Sequence, residues 1–244
     1  KTRIFGLIGY PVTKSPSHIT HNKVIEYLDI DAVYVKMPVL KEEVADFLDL
    51  AMKVRIKGLS VTMPLKESLM EGAWNTLVFN NDSFSCINTD GKGALDAIEE
   101  RMLVQGKTIL IIGAGGAAKA MAKESALRGA HVIIVNRTLK DTVNLSLADA
   151  LNNVPDYDIL INATPVEDDS LIGLLKEGTV VLDSVVSKEA TLFLQAAVQR
   201  KCRIIMGYEM LRNQAVLQFN AWLGECVSED EIRKVFEKVF DDIC

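Results

Sequence analysis

The chain has 244 residues, 49% of them hydrophobic and 25% charged, a balance that suits a folded protein with room for one large domain or two ordinary ones. Its net charge of -6 comes with no stripe of lysine and arginine, since Arg200 and Lys201 are too small a pair to count, so nucleic acid is not expected as a partner. No apolar run approaches the ~18 residues a membrane span needs, and the first residues lack the apolar centre of a signal sequence.

The N-terminal part alternates strand and helix. Arg3–Gly9 reads as a strand, residues 21–28 as a helix, Ala32–Pro38 as a strand, residues 41–48 as an amphipathic helix and residues 56–62 as a third strand. Repeated β-α-β implies a parallel sheet. The loop over residues 9–22 holds Thr13, Lys14, Ser15 and Ser17. Its hydroxyls suit an anionic substrate, and they equally suit the capping of the following helix.

Residues 108–138 carry the clearest signal. A short β-branched run, 108–112, leads into Gly113, Gly115 and Ala118 at the G-x-G-x-x-G/A spacing of a dinucleotide site, with Ala114, Gly116 and Ala117 completing the turn. A helix over residues 117–128 follows, stopped by Gly129, and then a second strand over residues 131–135. An NAD site usually ends that second strand in a carboxylate that receives the ribose hydroxyls. Here stand Asn136, Arg137 and Thr138, with Lys140 close behind. Arg137 can pair with a 2′-phosphate through two charge-assisted hydrogen bonds, so the expected cofactor is NADP.

Beyond this unit, strands are expected over residues 157–164, 179–186 and 203–206, a helix over 192–201, and helical structure from 210 to the end. Cys86, Cys202, Cys226 and Cys244 are scattered without metal-ligand spacing. No metal site is expected, and the compartment is read as reducing.

Four further segments, SVTMPLKE (60–67), GAWNT (72–76), INTDGKG (87–93) and GYEMLRNQAVLQF (207–219), appear in an order that resembles the shikimate dehydrogenase family over nearly the whole chain. The resemblance implies an α/β fold of two domains. A discontinuous substrate domain would cover 1–92 and 208–244, and a Rossmann-type NADP domain 93–207. It implies NADPH-dependent reduction of 3-dehydroshikimate to shikimate, in the pathway to aromatic amino acids. Lys66 and Asp90 match the family's catalytic pair, and the motif leaves open which of them carries the proton. Ser15 and Ser17 match the serines that hold the substrate carboxylate, and Thr62, Asn75 and Gln214 match the contacts to its ring hydroxyls. Ala163, Thr164, Gly207 and Met210 match positions beside the cofactor. Taken singly, Lys66 also reads as a surface charge, and Asp90 as the cap of a helix beginning near Gly93.

The chain departs from the family in places. The connections after Lys66, Thr138 and Pro165 are short, Glu167 follows Val166 where the family often has Gly-Met, Val186 replaces a tyrosine, and Trp74 replaces a smaller residue. Lys1 is not a methionine, so the chain is expected to be trimmed or part of a longer polypeptide, with fusion to a dehydroquinate dehydratase domain as one form of the latter. A cytoplasmic location is expected, or a plastid if the source is a plant, with a monomer or homodimer. A quinate-using paralogue and a non-catalytic NADP-binding regulator are the alternative readings.

Overall fold

The structure is a computed structural model in which residues 1–13, 15–69, 72–80, 83–139, 142–165, 168–224 and 226–243 are described. The chain divides into two compact units, Lys1–Thr89 with Ala215–Cys244, and Asp90–Gln214.

The first unit contains β1 (Arg3–Gly9), α1 (Ser17–Tyr27), β2 (Ala32–Pro38), α2 (Val44–Lys53), β3 (Gly58–Val61), β4 (Thr76–Phe79) and β5 (Phe84–Ile87). Its sheet runs β2-β1-β3-β4-β5. β1 pairs in parallel with β2 and β3, as the β-α-β pattern predicts, whereas β4 and β5 extend the sheet antiparallel and were not legible as strands. Each has only four residues, and they are joined as a hairpin rather than through a helix, so neither length nor crossover marks them. Two helix starts also differ from expectation. α1 begins at Ser17, four residues before His21, and a 3-10 turn at Lys41–Glu43 precedes α2.

The second unit holds α3 (Asp90–Glu99), β6 (Thr108–Ile112), α4 (Gly116–Leu127), β7 (His131–Asn136), β8 (Leu145–Ser146), α5 (Leu147–Asn152), β9 (Ile159–Asn162), β10 (Val180–Asp183), α6 (Leu192–Gln199) and β11 (Arg203–Ile205). α7 (Gly207–Leu223) starts here and crosses the boundary between the units, and α8 (Glu229–Ile243) completes the first. The expected boundary at 92/93 thus falls inside α3, and that at 207/208 in the first turn of α7. The sheet is entirely parallel in the order β11-β10-β9-β6-β7-β8. β6, β9 and β10 are almost wholly buried, which is why they read as unbroken apolar runs. The order reverses between β6 and β9, and in such sheets ligands bind beyond the carboxyl ends of the strands at that point.

His21 lies in the core of the first unit, 1% exposed, with its ring centroid 4.4 Å from that of Tyr34, 5.2 Å from Phe219 and 5.7 Å from Phe236. Thr20 Oγ1 is 3.0 Å from its Nδ1. Burial pushes its pKa down from 6.5 to about 3, and the neighbouring Gln218 side chain offsets only part of that. The unfolded chain therefore takes up a proton that the folded chain refuses. Stability from this site is complete above pH 6.5 and is lost as pH falls toward 3. The loss between pH 6.5 and about pH 5 is about 2 kcal/mol. Thermal melts of wild type and His21→Leu across this range should show a shallower pH dependence in the variant; parallel curves would assign the acid sensitivity to other groups.

Candidate active site

Ser15 and Ser17 form a small hydroxyl cradle where α1 begins. Ser15 Oγ donates to Ser17 Oγ at 3.0 Å and accepts from Ser17 N at 3.3 Å. This is the positive end of the α1 dipole, and its Ile19 and Thr20 N–H groups are already donated to Pro16 O at 2.9 and 3.3 Å, so the two hydroxyls are what the cradle presents. Lys36 Nζ donates to the carbonyls of Thr13 and Ser15 at 2.9 and 3.2 Å, bracing the loop and adding positive charge. Sequence reading missed Lys36, because the link spans more than twenty residues and depends on β1 and β2 pairing. Lys14 lies outside the described residues.

Thr62 and Lys66 follow β3. Thr62 N donates to Ile8 O at 2.9 Å, and Thr62 O accepts from Leu65 N at 2.9 Å, opening the 3-10 turn Leu65–Glu67 that carries Lys66. Lys66 O accepts from Trp74 N at 2.9 Å, which ties the turn to the strand that follows. Asn75 is 2% exposed, and its carboxamide is committed within the unit. Its Oδ1 accepts from Thr89 N at 2.8 Å and from Thr76 Oγ1 at 2.9 Å, and its Nδ2 donates to Thr89 Oγ1 at 2.9 Å. The expected substrate contact therefore also clamps the residue immediately before Asp90. Gln218 backs this clamp from α7: it accepts from Ser60 Oγ at 3.0 Å and donates to Asn75 O at 3.1 Å and Thr76 Oγ1 at 2.8 Å. The signal for Gln218 was present, since it stands four residues after Gln214 on one helical face.

Asp90 is the first residue of α3 and 4% exposed. The helix begins there and not near Gly93, so the expected capping position is displaced to Thr89. Gly93, one turn along, lies so near α7 that a methyl group on it would come within 2.7 Å of Gln214 N. Asp90 and Gln214, 9% exposed, are thus carried by two helices in close contact within the second unit.

The dinucleotide turn lies where the sheet order reverses. Gly113 adopts φ +112°, a region that favours glycine, and donates from its N to Val135 O at 2.8 Å. A side chain on Gly115 would meet open space, so the backbone there is accessible to a phosphate. Gly115 caps α4 without a side-chain bond, and no acidic residue stands in the first turn. Those free N–H groups suit an anion. Ala118 is fully buried, letting α4 lie close to the sheet. Ala114, Gly116 and Ala117 line the turn, partly exposed. At the end of β7, Asn136 Nδ2 donates to Thr138 O at 3.0 Å, tightening the bend that leaves Arg137 and Thr138 exposed. Asp168 lies near enough that Arg137 adds to the lowering of its carboxyl pKa, after the larger effect of its hydrogen bonds from Ser170.

Thr164 follows β9, with its N and Oγ1 donating to Asn162 Oδ1 at 3.1 and 2.7 Å, and Ala163 stands beside Gly113. Gly207 opens α7, whereas Met210 is only 8% exposed and packs into the hydrophobic core with Ala94, Ile205 and their neighbours. Lys140, Val166 and Glu167 lie outside the described residues. Val186 is exposed. The donors around the turn therefore fit a phosphorylated dinucleotide: a glycine bend, an uncapped helix start and an arginine where NAD sites carry a carboxylate. Among the described residues, no group of three His, Cys, Asp or Glu side chains is placed to hold a metal ion, and no helix is long and apolar enough to cross a membrane. Among the described residues, Cys86, Cys202 and Cys226 are not joined by disulfides.

Comparison with known proteins gives the family. The model of the shikimate dehydrogenase substrate binding domain matches residues 7–87. The NADP(+) shikimate dehydrogenase of Pyrococcus furiosus is 36% identical over 96% of this chain and 95% of its own length. The shikimate biosynthesis protein AroDE of Chlamydia pneumoniae is 35% identical over 94% of this chain, but the chain spans only 52% of that protein. Among solved structures, a shikimate dehydrogenase in complex with NADP+ superposes with a TM-score of 0.85 at 32% identity, over 100% of this chain and 96% of that one. A match of this identity, running almost end to end on both sides, means that the chain belongs to the shikimate dehydrogenase family.

Proposed function

We propose that this protein catalyses the reversible NADPH-dependent reduction of 3-dehydroshikimate to shikimate in aromatic amino-acid biosynthesis. Most of the substrate contacts come from the first unit, with Asp90 and Gln214 from the second, and the second unit takes the cofactor. The observation that carries the reading is a dinucleotide turn whose second strand is followed by Arg137 instead of a carboxylate, in a chain aligned nearly end to end with NADP-dependent relatives.

NADPH, when bound, supplies the hydride that reduces the ketone carbon. The chain's own residues do the rest. The Ser15 and Ser17 hydroxyls and the start of α1 receive the carboxylate. Thr62, Asn75 and Gln214 give the ring hydroxyls partners for the water they lose, without which each buried hydroxyl would weaken binding. The Lys66 ammonium neutralises the charge that grows on the ketone oxygen and delivers the proton to it. The Asp90 carboxylate orients that ammonium and the substrate hydroxyl. Arg137, with Asn136, Thr138 and Lys140, selects the 2′-phosphate, while Gly113 to Ala117 receive the pyrophosphate and Ala163, Thr164, Gly207 and Met210 shape the remainder. Cysteines outside disulfides suit a reducing compartment, and we place the activity in the cytoplasm.

The test is an assay of purified protein that follows NADPH formation with shikimate and, separately, with quinate. Turnover of shikimate is expected, and faster quinate turnover would move the assignment to the paralogue. Arg137→Ala should raise KM for NADP by about tenfold or more, the cost of a lost charge-assisted pair, and barely change KM for NAD. Equal effects on both cofactors would remove Arg137 from the phosphate site.

A further inference from the structure

Asp183, at the C-terminal end of β10 and 1% exposed, is a buried carboxylate to which the proposed chemistry gives no task. Burying such a charge is costly unless donors surround it. Three are in place: Asn162 Nδ2 donates to Oδ1 at 3.0 Å, Val185 N to the same oxygen at 3.2 Å, and Thr191 Oγ1 to Oδ2 at 2.6 Å. Thr191 is itself fixed as the cap of α6, its Oγ1 accepting from Leu194 N.

Two chains of contact leave this carboxylate, one ending at Gly113 of the cofactor turn and the other at Gly207, where α7 begins. Through Asn162, whose Oδ1 accepts from both Thr164 N and Thr164 Oγ1, Asp183 fixes the end of β9. A methyl group on Gly113 would lie 3.2 Å from Thr164 Cγ2 and 3.3 Å from Ala163 O, so where that strand end sits determines the space above Gly113. Through Val185 N, Asp183 fixes the backbone leaving β10. A methyl group on Gly207 would overlap the Val185 carbonyl and lie 2.9 Å from Ser184 C, so the start of α7 rests directly on this segment.

We infer that Asp183 is a positioning residue of the dinucleotide site, holding the 163–164 and 184–185 backbone at the distances that Gly113 and Gly207 require. The inference rests on the reading of the second unit as NADP-binding. It concerns the part of the site flanked by β9, β10 and the start of α7, and leaves the end of β7, where Arg137 stands, outside the network.

The experiment measures dissociation constants by calorimetry for NADP and for 2′,5′-ADP, which retains the 2′-phosphate end but lacks nicotinamide. It uses wild type, Asp183→Ala, Asp183→Asn and Asn162→Ala. Both alanine variants should bind NADP about tenfold or more weakly, the consequence of stranding buried donors, while 2′,5′-ADP affinity changes less than about threefold. Asp183→Asn should recover NADP binding to within about threefold, because its carboxamide oxygen still accepts from Asn162 and Val185 while its NH2 group donates to Thr191 Oγ1. Should Asp183→Ala fail to fold, Asn162→Ala cuts the link to Thr164 while leaving the Thr191 and Val185 bonds intact. Wild-type NADP affinity in a folded alanine variant overturns the inference, as does equal loss of both ligands or no recovery in Asp183→Asn. Failure of wild type to bind either ligand instead sinks the reading of the unit as an NADP domain.

Discussion

Lys66→Ala should lower kcat by about 10²-fold or more, the usual loss for a positioned proton donor, with a smaller change in KM for shikimate. The 3-10 turn that carries Lys66 is closed by Leu65 N to Thr62 O and anchored by Trp74 N to Lys66 O, both backbone bonds at 2.9 Å. Removing the side chain leaves those bonds in place, so the melting temperature should hardly move. A solvated surface lysine would give a different result, with kcat and KM both close to wild type. Steady-state kinetics on the variant, with its melting curve alongside, separates the two. If kcat stays within about threefold, Lys66 delivers no proton and another group must.

The dinucleotide half of the protein was legible because its local chemistry and its fold demand the same residues. A strand buried on both faces must be an apolar run, so β6, β9 and β10 announce themselves, and the turn after β6 needs glycine at 113 for its positive φ and a small residue at 118 for close packing. β8 has two residues and no periodicity to read. β4 and β5 escaped for a similar reason, being short and paired through a hairpin within a stretch that the motifs had marked as loop. Candidate site residues with a motif around them, such as Lys66 and Asp90, could be singled out in advance. The residues that brace the surrounding backbone could not, because Thr89 is clamped only when β4 and β5 bring Asn75 beside it, and Asp183 meets Asn162 only when β9 and β10 pair in register. Such partners are fixed by tertiary pairing, which leaves no spacing rule in the sequence.

Asp90→Asn is the second substitution with a large expected effect, and the structure sharpens what it separates. Because α3 begins at Asp90, the carboxylate stands in the first turn, where its charge also favours the helix dipole. Losing that interaction costs about 0.3 to 1 kcal/mol of stability, too little to alter turnover appreciably. The catalytic reading predicts a fall in kcat of about 10²-fold or more with the melting temperature nearly unchanged. Displacement of the residue is not an alternative source of that loss. Thr89, the residue before it, is fixed by Asn75 through bonds of 2.8 and 2.9 Å, and asparagine keeps the shape of aspartate. A variant with normal kcat and slightly lowered stability would assign Asp90 to the helix alone. An inactive variant of normal stability makes its charge part of the reaction, and with Lys66→Ala measured in the same assay the division of work follows. Equal losses in the two single variants, not deepened in the double, would mean that the ammonium and the carboxylate act as one unit. Losses that multiply would mean that each acts on the substrate separately, with the proton passing through Lys66 and the hydroxyl held by Asp90.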